Sequence, residues 1–182
     1  MVGMWCFMRR KPSAKSLAVK ALCVAIVFLA TTVLQIPIPL GYANLGTAVI
    51  LILAVFWGPE VGLVAGGLGS ALADLVLAPM WALPTLLVKA VMGLLCGVIA
   101  GKTSAQKHRT KQLRTFLACI VAAVEMIVGY FIGGSILYGS VATGALQIPG
   151  LAIECGVGIV VFYLVGRVIE RSGLMERIKR SD

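Results

Sequence analysis

The chain has 182 residues, 60% of them hydrophobic and 13% charged, with a mean hydropathy of +1.02 and a net charge of +9. A soluble domain carries about 25% charged residues, so lipid is the expected solvent, and 182 residues leave no room for a soluble catalytic domain beside a membrane one. The cations border apolar stretches, which directs them to anionic headgroups rather than to nucleic acid.

A helix needs about 20 apolar residues to cross the hydrocarbon core. Hydropathy predicts six spans, at 16–35, 45–57, 60–77, 85–101, 115–137 and 148–167. The expected fold is an all-α polytopic membrane protein, one compact bundle of six transmembrane helices. Residues 1–15 form a basic N-terminal segment, 16–170 the transmembrane domain, and 171–182 a basic C-terminal tail. Met1–Met8 is an apolar patch without an assigned role, and no small-residue cleavage site follows it, so it does not read as a signal peptide.

The first span carries Ala14, Ala18, Ala21 and Ala25 on one face. The second is short. The third carries Gly62, Gly66, Gly69 and Ala73, the fourth Gly93, Gly97 and Gly101, and the fifth Gly129 and Gly133. Small residues at such spacing let backbones approach closely in lipid. Internal packing accounts for the third, fourth and fifth spans. The alanine face of the first starts in the basic stretch at the membrane surface, where it is placed to meet another subunit.

Fifteen of the sixteen Lys and Arg residues fall in Arg9–Lys20, Lys102–Arg114 and Arg167–Arg180, five in each. The alternate loops, Gln35–Asn44, Ala78–Pro84 and Tyr138–Gln147, carry no charge. By the positive-inside rule both termini and the central loop are cytoplasmic.

Of the acidic residues, Asp74, Glu125 and Glu154 fall within spans, as does Lys89. An ionisable group at mid-membrane costs about 3 kcal/mol on the insertion scale and marks a pathway or a site. At about 1.5 Å per residue, Asp74, Lys89 and Glu154 each lie one turn beneath the uncharged loops, at a common depth. Those loops supply Gln35, Tyr42, Asn44, Trp81, Tyr138 and Gln147. An apolar space with aromatic walls and a few directed polar groups suits a small organic solute. The candidate binding set is therefore Asn44, Asp74, Trp81, Thr85, Lys89, Tyr138 and Glu154. The alternative for Asp74 and Lys89 is a structural ion pair locking the third and fourth spans. Glu125 lies near the midplane without an evident partner, with packing as its first reading and a proton path as its second.

Two signals fail. Gly97–Thr103 (GVIAGKT) is one residue short of a phosphate-binding loop, because position 96 is Cys, and it ends a helix instead of opening one. The single histidine, His108, lies in the basic loop, which excludes a buried Ser–His pair or a multi-histidine metal centre. The five cysteines are scattered without paired spacing and read as buried small hydrophobes. No cofactor is implied, and an enzyme is disfavoured.

The stretches Gly41–Gly46 (GYANLG), Gly58–Gly62 (GPEVG), Gly66–Asp74 (GGLGSALAD) and Pro84–Gly93 (PTLLVKAVMG) carry a family likeness, continued by Gly129-Tyr130-Phe131 and Ile148-Pro149-Gly150. In these the chain resembles the substrate-binding (S) subunits of energy-coupling factor (ECF) vitamin transporters, leaning to the pyridoxine and hydroxymethylpyrimidine branch. Two positions depart from that pattern: Thr47, where many relatives have Asp, and the run after Ile-Pro-Gly, where this chain has Leu151, Ala152 and then Glu154. The resemblance implies a multi-pass protein of the bacterial plasma membrane that captures a vitamin outside. It further implies docking through the alanine face on a transmembrane coupling subunit with two ATPase subunits. The competing reading is a stand-alone proton-coupled carrier, against which stands the absence of an internal repeat.

Overall fold

The computed structural model describes residues 14–33, 35–38, 41–101 and 109–172. The Met1–Met8 patch, most of the basic N-terminal segment, the central loop through His108 and the C-terminal tail lie outside the described residues.

Backbone polar groups in lipid must be satisfied within the segment, so each long apolar run becomes a helix. In chain order these are α1 (Ala14–Val33), α2 (Gly46–Phe56), α3 (Pro59–Leu77), α4 (Ala82–Ala100), α5 (Leu113–Leu137), α6 (Val141–Ala145) and α7 (Ile148–Ser172). Helices α1, α3, α4, α5 and α7 are long and apolar enough to cross a membrane. With α2 they form one multi-pass helical bundle. The predicted spans match to within a few residues, except that α7 continues past residue 167 to Ser172.

The second span differs in kind from the other five. At 11 residues α2 is about 16 Å long, roughly half the hydrocarbon core. All of its residues but Val49 are buried. A helix apolar on every side belongs inside a bundle, and α2 is the core that the longer helices surround. It turns into α3 through Trp57 and Gly58 alone, which Gly58 allows at φ 103°.

Two uncharged loops hold structure that hydropathy did not signal. Gln35–Asn44 forms an antiparallel hairpin of β1 (Gln35–Ile38) and β2 (Gly41–Asn44), with Gln35 opposite Asn44 and Ile38 opposite Gly41. Pro37 and Pro39 bar a helix there. Tyr138–Gln147 contains α6, capped by the Ser140 hydroxyl, which accepts from the Thr143 N–H at 3.4 Å.

Glycines set the helix spacing. A Cβ on Gly62 would lie 2.7 Å from the Gly93 carbonyl oxygen, and one on Gly66 2.7 Å from that of Lys89. Side chains on Gly93 or Gly97 would collide with the backbone of Gly62 or Pro59. So α3 and α4 meet backbone to backbone, and Gly69 against Val24 and Val27 seats α1 on α3. Only a stripe of α1 is buried, Cys23, Val27 and Thr31. Ala14, Ala18, Ala21 and Ala25 are all exposed.

Polar ties fasten the end opposite the hairpin. Lys20 bridges to Glu60 at 2.6 Å, Arg114 Nε donates to the Ile99 carbonyl, and Glu170 accepts from the Thr110 N–H and hydroxyl at 2.8 and 2.7 Å.

Candidate functional site

Beneath the hairpin lies a cavity of about 230 Å³. Its place follows from the chain order: α3 and α4 pack on each other through glycines, and Asp74 and Thr85, from the last turn of the one and the first turn of the other, line it beside Asn44 of the hairpin. All seven residues of the candidate set, Asn44, Asp74, Trp81, Thr85, Lys89, Tyr138 and Glu154, line this one space. Thr31, Ser70, Met80, Tyr130, Gln147 and Leu151 also line it. A weak signal existed for Ser70, which lies one helical turn before Asp74 and therefore on its face. Thr31 was legible only as one of two adjacent threonines, with Thr32, in the last turn of an apolar helix.

The cation's partner differs from the one considered first. Lys89 Nζ stands 3.1 Å from Glu154 Oε1, both side chains 3% exposed, so the pair ties α4 to α7. Thr47 on α2 completes it: its Oγ1 accepts from Lys89 Nζ at 2.6 Å and donates to Glu154 Oε1 at 2.6 Å. Met126 Sδ approaches Lys89 Nζ at 3.4 Å. The two departures from the family pattern, Thr47 and Glu154, thus touch each other. Sequence spacing gave the depth of each charge but not its direction around the helix, and direction chose Glu154. A buried pair is retained at little net gain, whereas removing one partner strands the other. Asp74 is 6% exposed and faces the same cavity.

Aromatic rings make one wall. Trp81 is held by the 3₁₀ turn Pro79–Trp81 between α3 and α4. Its ring centroid lies 5.8 Å from Tyr130 and 6.1 Å from Tyr138, tilted by 54° and 56°, an arrangement favoured by ring quadrupoles. Tyr130 is anchored by its hydroxyl, which donates to Thr85 Oγ1 at 2.9 Å, and its ring lies 5.7 Å from Lys89 Nζ. Such a wall can stack a flat ring while polar groups engage its edge.

Glu125, on α5, is outside the cavity lining, and its Oε2 is buried without a hydrogen-bond partner among the described residues. The described cysteines, Cys23, Cys96, Cys119 and Cys155, are free and buried. Among the described residues no cluster of three His, Cys, Asp or Glu is placed to hold a metal ion.

The profile of the family described as "ECF-type riboflavin transporter, S component" matches residues 11–171. A protein of Pyrococcus woesei, described as an uncharacterized protein in the gap 3' region, is 34% identical over 149 residues, covering 77% of this chain and 97% of its own length. A UPF0397 protein of Streptococcus agalactiae is 31% identical over 96 residues, 52% of each chain.

Proposed function

The chain belongs to the S-component family of ECF-type riboflavin transporters, membrane transport subunits that are not enzymes, and on that premise we propose that it binds a single-ring heteroaromatic vitamin or precursor in the cavity under the hairpin. Pyridoxine and hydroxymethylpyrimidine are the preferred candidates. The observation that carries this reading is the convergence of seven candidate residues on one cavity of about 230 Å³. That volume lies below the roughly 300–1,000 Å³ usual for drug-sized ligands. It favours one ring over the tricycle and sugar-alcohol chain of riboflavin. Trp81 and Tyr138 would stack the ring, while Asn44, Asp74, Thr85, Lys89 and Glu154 orient its polar edge.

In this reading the hairpin faces outward, and the basic termini and central loop face the cytoplasm. The exposed face of Ala14, Ala18, Ala21 and Ala25 meets a transmembrane coupling subunit, whose two ATPase subunits supply the energy. The solute travels inward when the subunit topples in the membrane.

The test is direct. Native mass spectrometry of the purified protein identifies the co-purified solute, and calorimetry then ranks pyridoxine, hydroxymethylpyrimidine and riboflavin. Tighter binding of riboflavin than of both single-ring compounds overturns the size argument. Glu125 Oε2, buried without a hydrogen-bond partner among the described residues, favours a second reading, a stand-alone proton-coupled carrier. Uptake that persists without the coupling subunit and the ATPases decides for that second reading.

A further inference from the structure

Three residues that the charge pattern did not single out bear on how the solute is read, an inference that rests on the binding reading above. Thr31, Ser70 and Gln147 are 2%, 1% and 4% exposed, and all three line the cavity. Thr31 Oγ1, Ser70 Oγ and Gln147 Nε2 are buried without a hydrogen-bond partner among the described residues. Native proteins keep few such atoms, because each forfeits its hydration without recompense. Here three border one small space.

The neighbouring charges behave in the opposite way. Lys89, Thr47 and Glu154 satisfy one another at 2.6–3.1 Å. Their bonding capacity is largely engaged within the protein, whereas that of the three neutral groups is open.

The backbone is also cut away to seat two of them. A Cβ on Gly46 would collide with Thr31 Oγ1, and one on Gly134 with Gln147 Nε2. Gly134 lies in the last turn of α5. Its small size is what admits the Gln147 amide.

We propose that Thr31, Ser70 and Gln147 are the specificity-determining hydrogen-bond partners of the solute. The two hydroxyls can each donate or accept, while the amide nitrogen only donates. The matching ligand is a hydroxylated heteroaromatic ring that presents an acceptor, a ring nitrogen or hydroxyl oxygen, to Gln147. It presents further hydroxyl or amino groups to Thr31 and Ser70. Because these residues come from α1, α3 and the turn that leads into α7, one small solute would tie three separate parts of the chain together.

The experiment uses the full chain in detergent with pyridoxine and hydroxymethylpyrimidine as probes. Thr31→Val, Ser70→Ala and Gln147→Met are near-isosteric and remove the unpartnered atom. Each should weaken binding of the better probe about five- to a hundredfold, the range of a lost buried hydrogen bond. The melt of the unliganded variants should hold or rise, since an unsatisfied group is replaced by an apolar one. A purely structural role gives the reverse, a lowered unliganded melt with unchanged affinity, and overturns the proposal. Unchanged affinity in all three variants while the wild type binds overturns it and leaves the binding reading standing. A wild type that binds neither probe overturns both.

Discussion

Where Gly62 meets Gly93, α3 and α4 touch backbone to backbone; nearer the hairpin, Asp74 and Thr85 of the same two helices line a cavity of about 230 Å³. The first region has no room for a side chain. The second keeps polar atoms without a hydrogen-bond partner among the described residues. In lipid, helices gain nothing from hiding apolar surface and associate through close packing. The glycine seam is therefore where cohesion between α3 and α4 is concentrated. A site held open before the solute arrives loses less on binding than one that must be assembled.

The contrast can be broken first at the seam. Gly93→Val drives a side chain into the Gly62 carbonyl, which belongs to the backbone and cannot rotate away. Overpacking typically costs about 1–3 kcal/mol, and more where backbone must move. We expect no monodisperse protein on size-exclusion chromatography. A wild-type melt for this variant would mean that the two helices slide freely, and the contrast would fail.

At the cavity floor the expected loss is one that a second substitution reverses. Lys89→Met or Glu154→Gln alone strands a buried charge or polar group, at about 3–5 kcal/mol for a broken buried pair. The double variant Lys89→Met with Glu154→Leu should recover much of that stability in thermal melts, though not solute binding. Additive losses would show that the two side chains are not coupled.

The smallest effect on stability is expected on α1. Ala18→Trp falls on an exposed position, where substitutions usually stay within about 0.5 kcal/mol. Solute affinity should hold while co-purification with the coupling subunit is lost. Normal assembly of this variant would assign the alanine face to lipid.

These sites were not equally legible in the sequence. The six spans could be read because hydropathy averages over many residues and tolerates local error. The glycine faces could be read because their spacing repeats. Lys89, Asp74 and Glu154 stood out because a charge in lipid is rare, and their depth follows from counting residues. That Glu154 reaches Lys89 depends on helix rotation and on α2, whose Thr47 stands out as a departure from the family pattern but does not tell which side chains it joins. The hairpin was hidden for another reason: Pro37 and Pro39 excluded a helix without announcing a strand. Thr31 and Ser70 are ordinary helix residues until burial and the lack of a partner are known.

The Lys89–Glu154 pair also has an electrical consequence. One elementary charge moved through the membrane potential exchanges about 2.3 kcal/mol per 100 mV. A lone Lys89 carried across during reorientation would make each transport step sensitive to voltage. Two opposite charges 3.1 Å apart travel as a dipole and transfer no net charge. In the proposed transport cycle, the cation of this pair is thus kept inside the bundle with its charge balanced by Glu154, and the pair itself adds no voltage dependence to the movement of the subunit.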